Sequence, residues 1–212
     1  MIYEVVTTTY KPGTVADAEA RFAESYEHRK KHSELAVFWH TEIGPLNQTV
    51  AVWPYANIEE RARVAAAVAK DAKARPNLND LIVRELSDIV TPTPFSPEIK
   101  PGKIGPFFEM RTYTVPAGEI PLMLENWAIA MPRRLTFSPV FAVWYTEIGG
   151  MNKWSHIWPY PSLNARGETR AKLGPAGAWP PSAIAKKEGR KPESFLEQEN
   201  KILMPAKFSP VQ

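Results

Sequence analysis

The chain has 212 residues and none of them is cysteine. This absence excludes disulfides, thiol nucleophiles and cysteine-ligated metal sites. No apolar run approaches the roughly 20 residues that a membrane-spanning helix needs. The net charge is only +3, and basic and acidic residues are interspersed, so the chain lacks the basic footprint of a nucleic-acid-binding protein. Its first residues resemble a strand rather than a targeting segment. We therefore expect a cytoplasmic protein that binds neither membranes nor nucleic acid.

The common signatures of catalysis are also missing. The sequence has no glycine-rich loop of the phosphate-binding kind and no serine-centred triad. His28 and His32 have the spacing of a helical metal pair, but the three residues between them are Arg29, Lys30 and Lys31, which repel a cation. We expect neither a cofactor nor a bound metal.

What the chain does contain is a long internal repeat. Residues 39–44 (Trp-His-Thr-Glu-Ile-Gly) return at 144–149 (Trp-Tyr-Thr-Glu-Ile-Gly), and Trp-Pro-Tyr at 53–55 returns at 158–160. The offset of 105 residues aligns 3–55 with 108–160 without a gap, and 16 of the 53 pairs are identical. Solenoid repeats are shorter, about 20–50 residues. The sequence therefore predicts two copies of one domain, at 1–97 and 107–212, joined by a proline-rich linker at 98–106.

Each copy has the pattern strand, helix, strand, strand, helix, strand. Residues 2–10 are β-branched and aromatic, as in a strand. Apolar residues recur at helical spacing in the first helix of each copy, at Val15, Ala18, Phe22 and Tyr26 and at Ile120, Met123, Trp127 and Met131. The second helix of copy one is predicted over residues 58–73, before Pro76. The order βαββαβ is the ferredoxin-like split βαβ arrangement, with both helices on one face of the sheet. The other face of each sheet is left uncovered, and because the sheets are rich in tryptophan, this face needs a second surface to pack against. The predicted fold class is α+β, with two tandem ferredoxin-like (βαββαβ) domains pairing as a dimeric α/β barrel. We expect an intrachain pseudo-dimer, and the extended linker leaves a homo-oligomer open as the alternative.

Several segments resemble one known family. They are Ile-Tyr-Glu at 2–4, the run from 39 to 48, the strand end at 53–55, Phe-Glu-Met-Arg-Thr-Tyr at 108–113 and the closing segment 198–210. In this order they resemble the NIPSNAP family over most of both copies. The resemblance implies tandem NIPSNAP domains with the ferredoxin-like fold and the dimeric α/β barrel. It implies no particular reaction.

The two copies differ in the polar residues of their strands. Copy two has Glu109, Arg111 and Tyr113 at alternating positions, which share one face of a strand, and it has His156 where copy one has Ala51. First and third strands are neighbours in this fold, so His156 is expected opposite the first-strand residues. The predicted catalytic residue is His156, and the predicted ligand-binding residues are Glu109, Arg111, Tyr113, Tyr145 and Trp158.

This set fits a small, partly apolar ligand with an acidic or carbonyl group, bound in the barrel between the copies. His156 is the candidate general base for cofactor-independent acid–base chemistry, and Arg111 is a candidate for bidentate anion binding. A buried Glu–Arg pair that only satisfies itself is the structural alternative. The functional alternative is a non-catalytic protein–protein interaction or scaffold protein, whose contact surface is the unusual loop 174–181. Arg29 and its partner Arg134 occupy matching positions near the end of the first helix, where complementing the helix dipole is enough to explain them. The open alternative is that an arginine there reaches the mouth of a pocket.

Overall fold

The computed structural model describes all 212 residues. Its strands are β1 (Ile2–Tyr10), β2 (Val37–Ile43), β3 (Gln48–Tyr55), β4 (Ile82–Pro92), β5 (Phe107–Thr114), β6 (Ala142–Ile148), β7 (Lys153–Tyr160) and β8 (Glu197–Pro205). Its helices are α1 (Val15–Arg29), α2 (Ile58–Lys70), α3 (Ile120–Leu135), α4 (Leu163–Leu173) and α5 (Pro181–Lys187). The predicted order is present twice, and copy two adds α5. None of these helices has both the length and the apolar composition to cross a bilayer.

The strand order is the one that the ferredoxin-like pattern predicts. In copy one, β1 pairs antiparallel with both β3 and β4, and β3 also pairs with β2. In copy two, β7 pairs antiparallel with β5 and β6. The hydrogen-bonded order of all eight strands, β1-β3-β2-β8-β5-β7-β6-β4, is that of a closed barrel. The predicted fold class is confirmed.

The chain divides into two compact units. Unit one comprises Met1–Thr91, Lys100–Lys103 and Lys201–Gln212, and unit two comprises Pro92–Ile99 and Ile104–Asn200. Strand β8 is shared between them, because its second half pairs with β2 of unit one through Trp39↔Pro205 and His40↔Met204. The predicted domains, 1–97 and 107–212, are defined by the sequence repeat, and their boundaries remain a prediction.

Element boundaries differ from the predicted ones by a few residues. Helix α2 ends at Lys70, three residues before the predicted end. The carboxylate of Asp71 accepts a hydrogen bond from the amide of Lys73 (3.1 Å), and a 3₁₀ turn follows at Ala72–Ala74. An aspartate side chain that bonds the backbone two residues on competes with the helical pattern, which explains the earlier stop.

The helix face of copy two is built on one apolar stripe. Met123, Trp127 and Met131 of α3 are each at most 1% exposed and recur at helical spacing. They pack with Trp154 and Trp158 of β7 in one buried cluster. The predicted stripe is therefore the surface that attaches α3 to its sheet.

Truncating this stripe tests its contribution to stability. Met123→Ala removes a fully buried side chain and should lower the free energy of unfolding by about 2–5 kcal/mol through lost burial and a new cavity. Ile129→Ala on the same helix is the control, since Ile129 is 38% exposed, and it should cost about 0.5 kcal/mol or less. Urea unfolding followed by tryptophan fluorescence measures both. Equal losses would contradict this assignment of the buried face.

Candidate functional site

The polar residues of copy two meet as the strand order predicts. In the β5–β7 ladder, Glu109 lies opposite Trp158, Arg111 opposite His156 and Tyr113 opposite Trp154. Directly opposed residues share a face of the sheet, so the predicted neighbourhood is correct.

The predicted location of this set in the barrel, between the copies, is wrong. The ring of His156 lies 4.8 Å from that of Trp127 on α3, and Glu109 contacts Arg166 on α4. The set therefore occupies the face of the sheet that the helices of the same copy cover. Alternation fixes which residues share a face but not which face receives the helices.

Glu109 is the electrostatic centre of this face. Its side chain is completely buried, and its Oε1 atom accepts a hydrogen bond from Nη2 of Arg166 at 2.5 Å. Nη1 of Arg111 lies 3.5 Å from the same oxygen, and Nη1 of Arg170 lies 3.7 Å from it. The second carboxylate oxygen, Oε2, is buried without a hydrogen-bond partner. The Glu–Arg pairing expected as the structural alternative is therefore present, but one carboxylate faces three guanidinium groups.

Copy one lacks this excess of positive charge. Its equivalent carboxylate, Glu4, forms an ion pair with Arg61 and accepts a hydrogen bond from the hydroxyl of Ser87 at 2.8 Å. The positions that match Arg111 and Arg170 are Val6 and Ala65. The surplus cations are thus specific to copy two.

A further arginine lies beside this cluster. Arg134 is 2% exposed, and its guanidinium carbon lies 3.8 Å from the ring centroid of Trp158. It donates hydrogen bonds to Ser138 (2.7 Å) and to the hydroxyl of Tyr160 (3.3 Å). Burial lowers the pKa of Arg134, although the neighbouring Tyr160 and Glu109 raise it in part.

Copy one repeats this arrangement with Arg29. Its guanidinium lies 4.2 Å from the ring centroid of Trp53 and donates to Ser33 and Tyr55. The helix-dipole explanation of the two arginines is therefore incomplete, because each is stacked on a tryptophan and hydrogen-bonded to the fold.

His156 is held in one tautomer. The indole N–H of Trp158 donates to its Nδ1 atom at 2.5 Å, which makes Nε2 the protonated nitrogen of the neutral ring. Burial, followed by the charges of Arg111, Arg134 and Arg170, lowers the pKa of His156 well below its ordinary value. The lone pair that a general base would use is occupied, so this geometry favours a neutral hydrogen-bond donor.

A cavity of about 520 Å³ opens beside this cluster. Its side-chain lining combines cationic, aromatic and carboxyl groups, namely Arg111, Tyr113, Trp127, Arg170, Trp179, Glu193 and Phe195 together with Pro180, Pro181, Ser182, Ser194 and Gln198. The volume is within the range of about 300–1,000 Å³ that is typical of small-molecule sites.

The predicted site residues take different positions around this cavity. Arg111 and Tyr113 line it, and the hydroxyl of Tyr113 accepts a hydrogen bond from Nε of Arg111 at 2.9 Å. His156 lies directly behind the wall, with its ring 5.1 Å from that of Tyr113. Trp158 belongs to the buried cluster, and Tyr145 packs against that cluster. Arg111 and Tyr113 are thus the members of the predicted set that line the cavity.

Ten of the twelve lining residues lie outside the predicted set, and four of them, Arg170, Trp127, Trp179 and Glu193, supply charged or indole groups. Arg170 carries a readable signal, because the equivalent helix position in copy one is Ala65. The helical spacing predicts Trp127 only as part of the apolar stripe, and Trp179 lies in the loop 174–181, whose prolines and glycines indicate a turn but no cavity wall. Glu193 lies in a segment without periodicity or a counterpart in the gapless repeat, so no sequence pattern indicates it.

Comparison with known proteins agrees with the two-copy organisation. The NIPSNAP family model matches residues 3–97 and 108–210. Protein NipSnap homolog 3A of Homo sapiens is 28% identical over 225 residues, which cover 100% of this chain and 86% of that protein.

Solved structures resemble the whole chain at low sequence identity. A crystal structure described as a putative monooxygenase from Lactobacillus acidophilus NCFM has a TM-score of 0.63 at 13% identity, and covers 96% of this chain and 93% of its own. One described as an anthrone oxidase-like protein has a TM-score of 0.65 at 9% identity, and covers 97% and 91%. At these identities the likeness concerns the fold alone.

Removing the charge of Glu109 tests its role as counter-ion. Glu109→Gln leaves three guanidinium groups without a matching charge, and a broken buried pair is strongly destabilising. The arginines keep some solvent contact, so we expect a loss of roughly 2–3 kcal/mol in the free energy of unfolding, below the full cost of a sealed pair. Urea unfolding measures this, with Glu125→Gln at an exposed position of α3 as the control. A loss no greater than that of the control would contradict the assignment.

Proposed function

This chain belongs to the NIPSNAP family, and we propose that its second copy binds a small planar anion in the cavity beside Glu109. The observation that carries the proposal is the unbalanced charge at the cavity wall. Arg111 and Arg170 line the cavity, while Glu109, the carboxylate with which both form ion pairs, already accepts its shortest hydrogen bond from Arg166. The two lining arginines therefore have unused capacity for an anionic group.

The geometry of the two arginines supports an oxyanion as the ligand group. Their Nη1 atoms lie 3.5 and 3.7 Å from Glu109, so neither makes a short bond to it. A guanidinium presents a planar fork of donors that matches a carboxylate. The side chain of Arg111 is 17% exposed, and in such a partly desolvated site a charge-assisted hydrogen bond is stronger than in water.

Aromatic rings make up much of the remaining wall. The rings of Trp127 and Trp179 meet edge to face, with centroids 4.8 Å apart, and those of Tyr113 and Phe195 lie 4.7 Å apart. Aromatic pairs favour stacked and edge-to-face contacts with further rings. A ligand with a flat apolar body and one acidic group fits both parts of the wall.

The loop predicted as an interaction surface supports this proposal instead of the alternative one. Ala178 is buried, and Trp179 and Pro180 line the cavity. Residues 174–177 are exposed but carry only Gly, Pro and Ala, whereas the one large side chain of the loop, that of Trp179, lines the cavity. We therefore put forward small-molecule binding and no second function.

A matched pair of compounds tests the proposal directly. 2-Naphthoate and its neutral analogue 2-naphthamide have the same flat body and differ in charge. Wild-type protein should bind 2-naphthoate about 10- to 100-fold more tightly, since a hydrogen bond to a charged group contributes about 1.5–3 kcal/mol and each 1.4 kcal/mol is a factor of ten. Isothermal titration calorimetry measures both affinities.

Variants then locate the interaction. Arg111→Ala combined with Arg170→Ala should remove the preference for the charged compound, whereas Arg63→Ala, an exposed arginine of copy one, should leave it unchanged. Failure of the wild type to bind 2-naphthoate, or an equal preference in the double variant, would refute the proposal.

A further inference from the structure

We propose that the carboxyl group of Glu193 forms a hydrogen bond with a second oxygen of the ligand, a hydroxyl or carbonyl that lies away from the anionic group. Glu193 thereby selects ligands that carry such an oxygen. This inference rests on the proposed function, because it concerns the same cavity. The ligand class becomes a planar hydroxy- or oxo-substituted carboxylate, held at its anionic group by the arginines and at its second oxygen by Glu193.

The position of Glu193 is unusual for an acidic residue. It lies in the segment between α5 and β8, is 7% exposed and lines the cavity. Neither of its carboxyl oxygens has a hydrogen-bond partner, although both are buried. A buried polar group without a partner costs free energy, and a ligand oxygen in the cavity would remove that cost.

The other buried acids of the same sheet faces do not share this feature. Glu109 is paired with Arg166 and Glu4 is paired with Arg61. The two cations nearest in sequence to Glu193 are engaged elsewhere. Lys191 pairs with Glu119, and Arg190 donates to the side-chain carbonyl oxygen of Asn126 and to Glu188. Glu193 is therefore not the acidic half of a structural ion pair.

Burial favours the protonated, neutral form of the Glu193 carboxyl. Asn126 of α3 donates its amide to the carbonyl oxygen of Lys191 at 2.9 Å, and Arg111 of β5 and Arg170 of α4 are the cations of the cavity wall. Burial raises the pKa of the Glu193 carboxyl, and its own nearby amide, the Asn126 side chain and the charge of Arg190 offset this only in part. None of them has hydrogen-bonding geometry to the carboxyl oxygens. A protonated carboxyl both donates and accepts a hydrogen bond.

A second unpartnered group lies in the same wall. The indole N–H of Trp127 is buried without an acceptor, and Trp127 lines the cavity together with Glu193. The wall therefore contains one N–H donor without an acceptor and one carboxyl group without a partner. A ligand oxygen can accept a hydrogen bond from either group when the carboxyl is protonated, and a ligand hydroxyl can also donate one to the carboxyl. Neither group suits the hydrocarbon part of a ligand.

The direct test compares 2-naphthoate with 6-hydroxy-2-naphthoate by isothermal titration calorimetry. Wild-type protein should prefer the hydroxylated compound by about tenfold at pH 6, the effect of one satisfied buried hydrogen bond. Glu193→Leu should abolish this preference but still bind 2-naphthoate. Glu193→Gln should keep much of it, because an amide also donates and accepts. Glu125→Gln, on an exposed surface of α3, is the control and should behave as wild type.

The possible results separate this inference from the proposed function. An unchanged hydroxyl preference in Glu193→Leu would overturn the selecting role while leaving anion binding established. An equal loss of both compounds in Glu193→Leu, with circular dichroism of a folded protein, would also overturn it, since Glu193 would then support the cavity as a whole. If wild-type protein binds neither naphthoate, the proposed function fails and this inference fails with it.

A ligand-free measurement tests the protonation state of Glu193. Because the folded-state pKa is raised, the contribution of Glu193 to stability is complete below its unfolded-state pKa and is lost as pH rises through the folded-state pKa. Glu193→Gln does not titrate, so its melting temperature relative to wild type should increase as the pH rises above the ordinary pKa of glutamate. Glu125→Gln should show no such trend. A pH-independent difference for Glu193→Gln would contradict the neutral carboxyl.

Discussion

The burial of one carboxylate, Glu109, is the constraint on which the helix face of copy two depends. A charge with no solvent exposure has to be matched inside the protein, and here Arg111 comes from the same strand while Arg166 and Arg170 come from α4. The ion cluster therefore joins α4 to the sheet. It also carries more positive than negative charge. The ion cluster around Glu109 thus has two effects: it attaches α4 to the sheet, and its surplus of guanidinium groups makes the cavity wall suitable for an anion.

Duplication separates structural residues from those that distinguish the site. Each copy stacks an arginine on a tryptophan, Arg29 on Trp53 and Arg134 on Trp158, with the same serine and tyrosine acceptors. These shared contacts attach the end of the first helix of each copy to its sheet. What occurs in copy two alone, including Arg111, Tyr113, Arg170 and His156, lines the cavity or lies directly behind its wall. Comparison of the copies is thus informative even though the chain lacks a recognisable catalytic motif.

Strand periodicity and strand order made much of the site predictable. Alternation placed Glu109, Arg111 and Tyr113 on one face, and the neighbouring positions of first and third strands placed His156 opposite Arg111. The chemical role of His156 was not accessible in this way. It depends on a hydrogen bond from Trp158, and the sequence does not determine which ring nitrogen accepts a bond. Glu193 was missed for a related reason, because an irregular segment has no period from which its burial can be derived.

The order of amino acids is enough to predict the two copies, their βαββαβ order, the apolar stripe of α3 and the residues that share a strand face. These properties follow from local rules, since side-chain direction repeats every two residues in a strand and about every 3.6 in a helix. The folded chain is needed to show which face of the sheet the helices cover, which arginines surround Glu109, and which buried carboxyl has no hydrogen-bond partner. Those outcomes depend on contacts between segments far apart in the chain, and the free energy of burying a charge is set by all of its neighbours together.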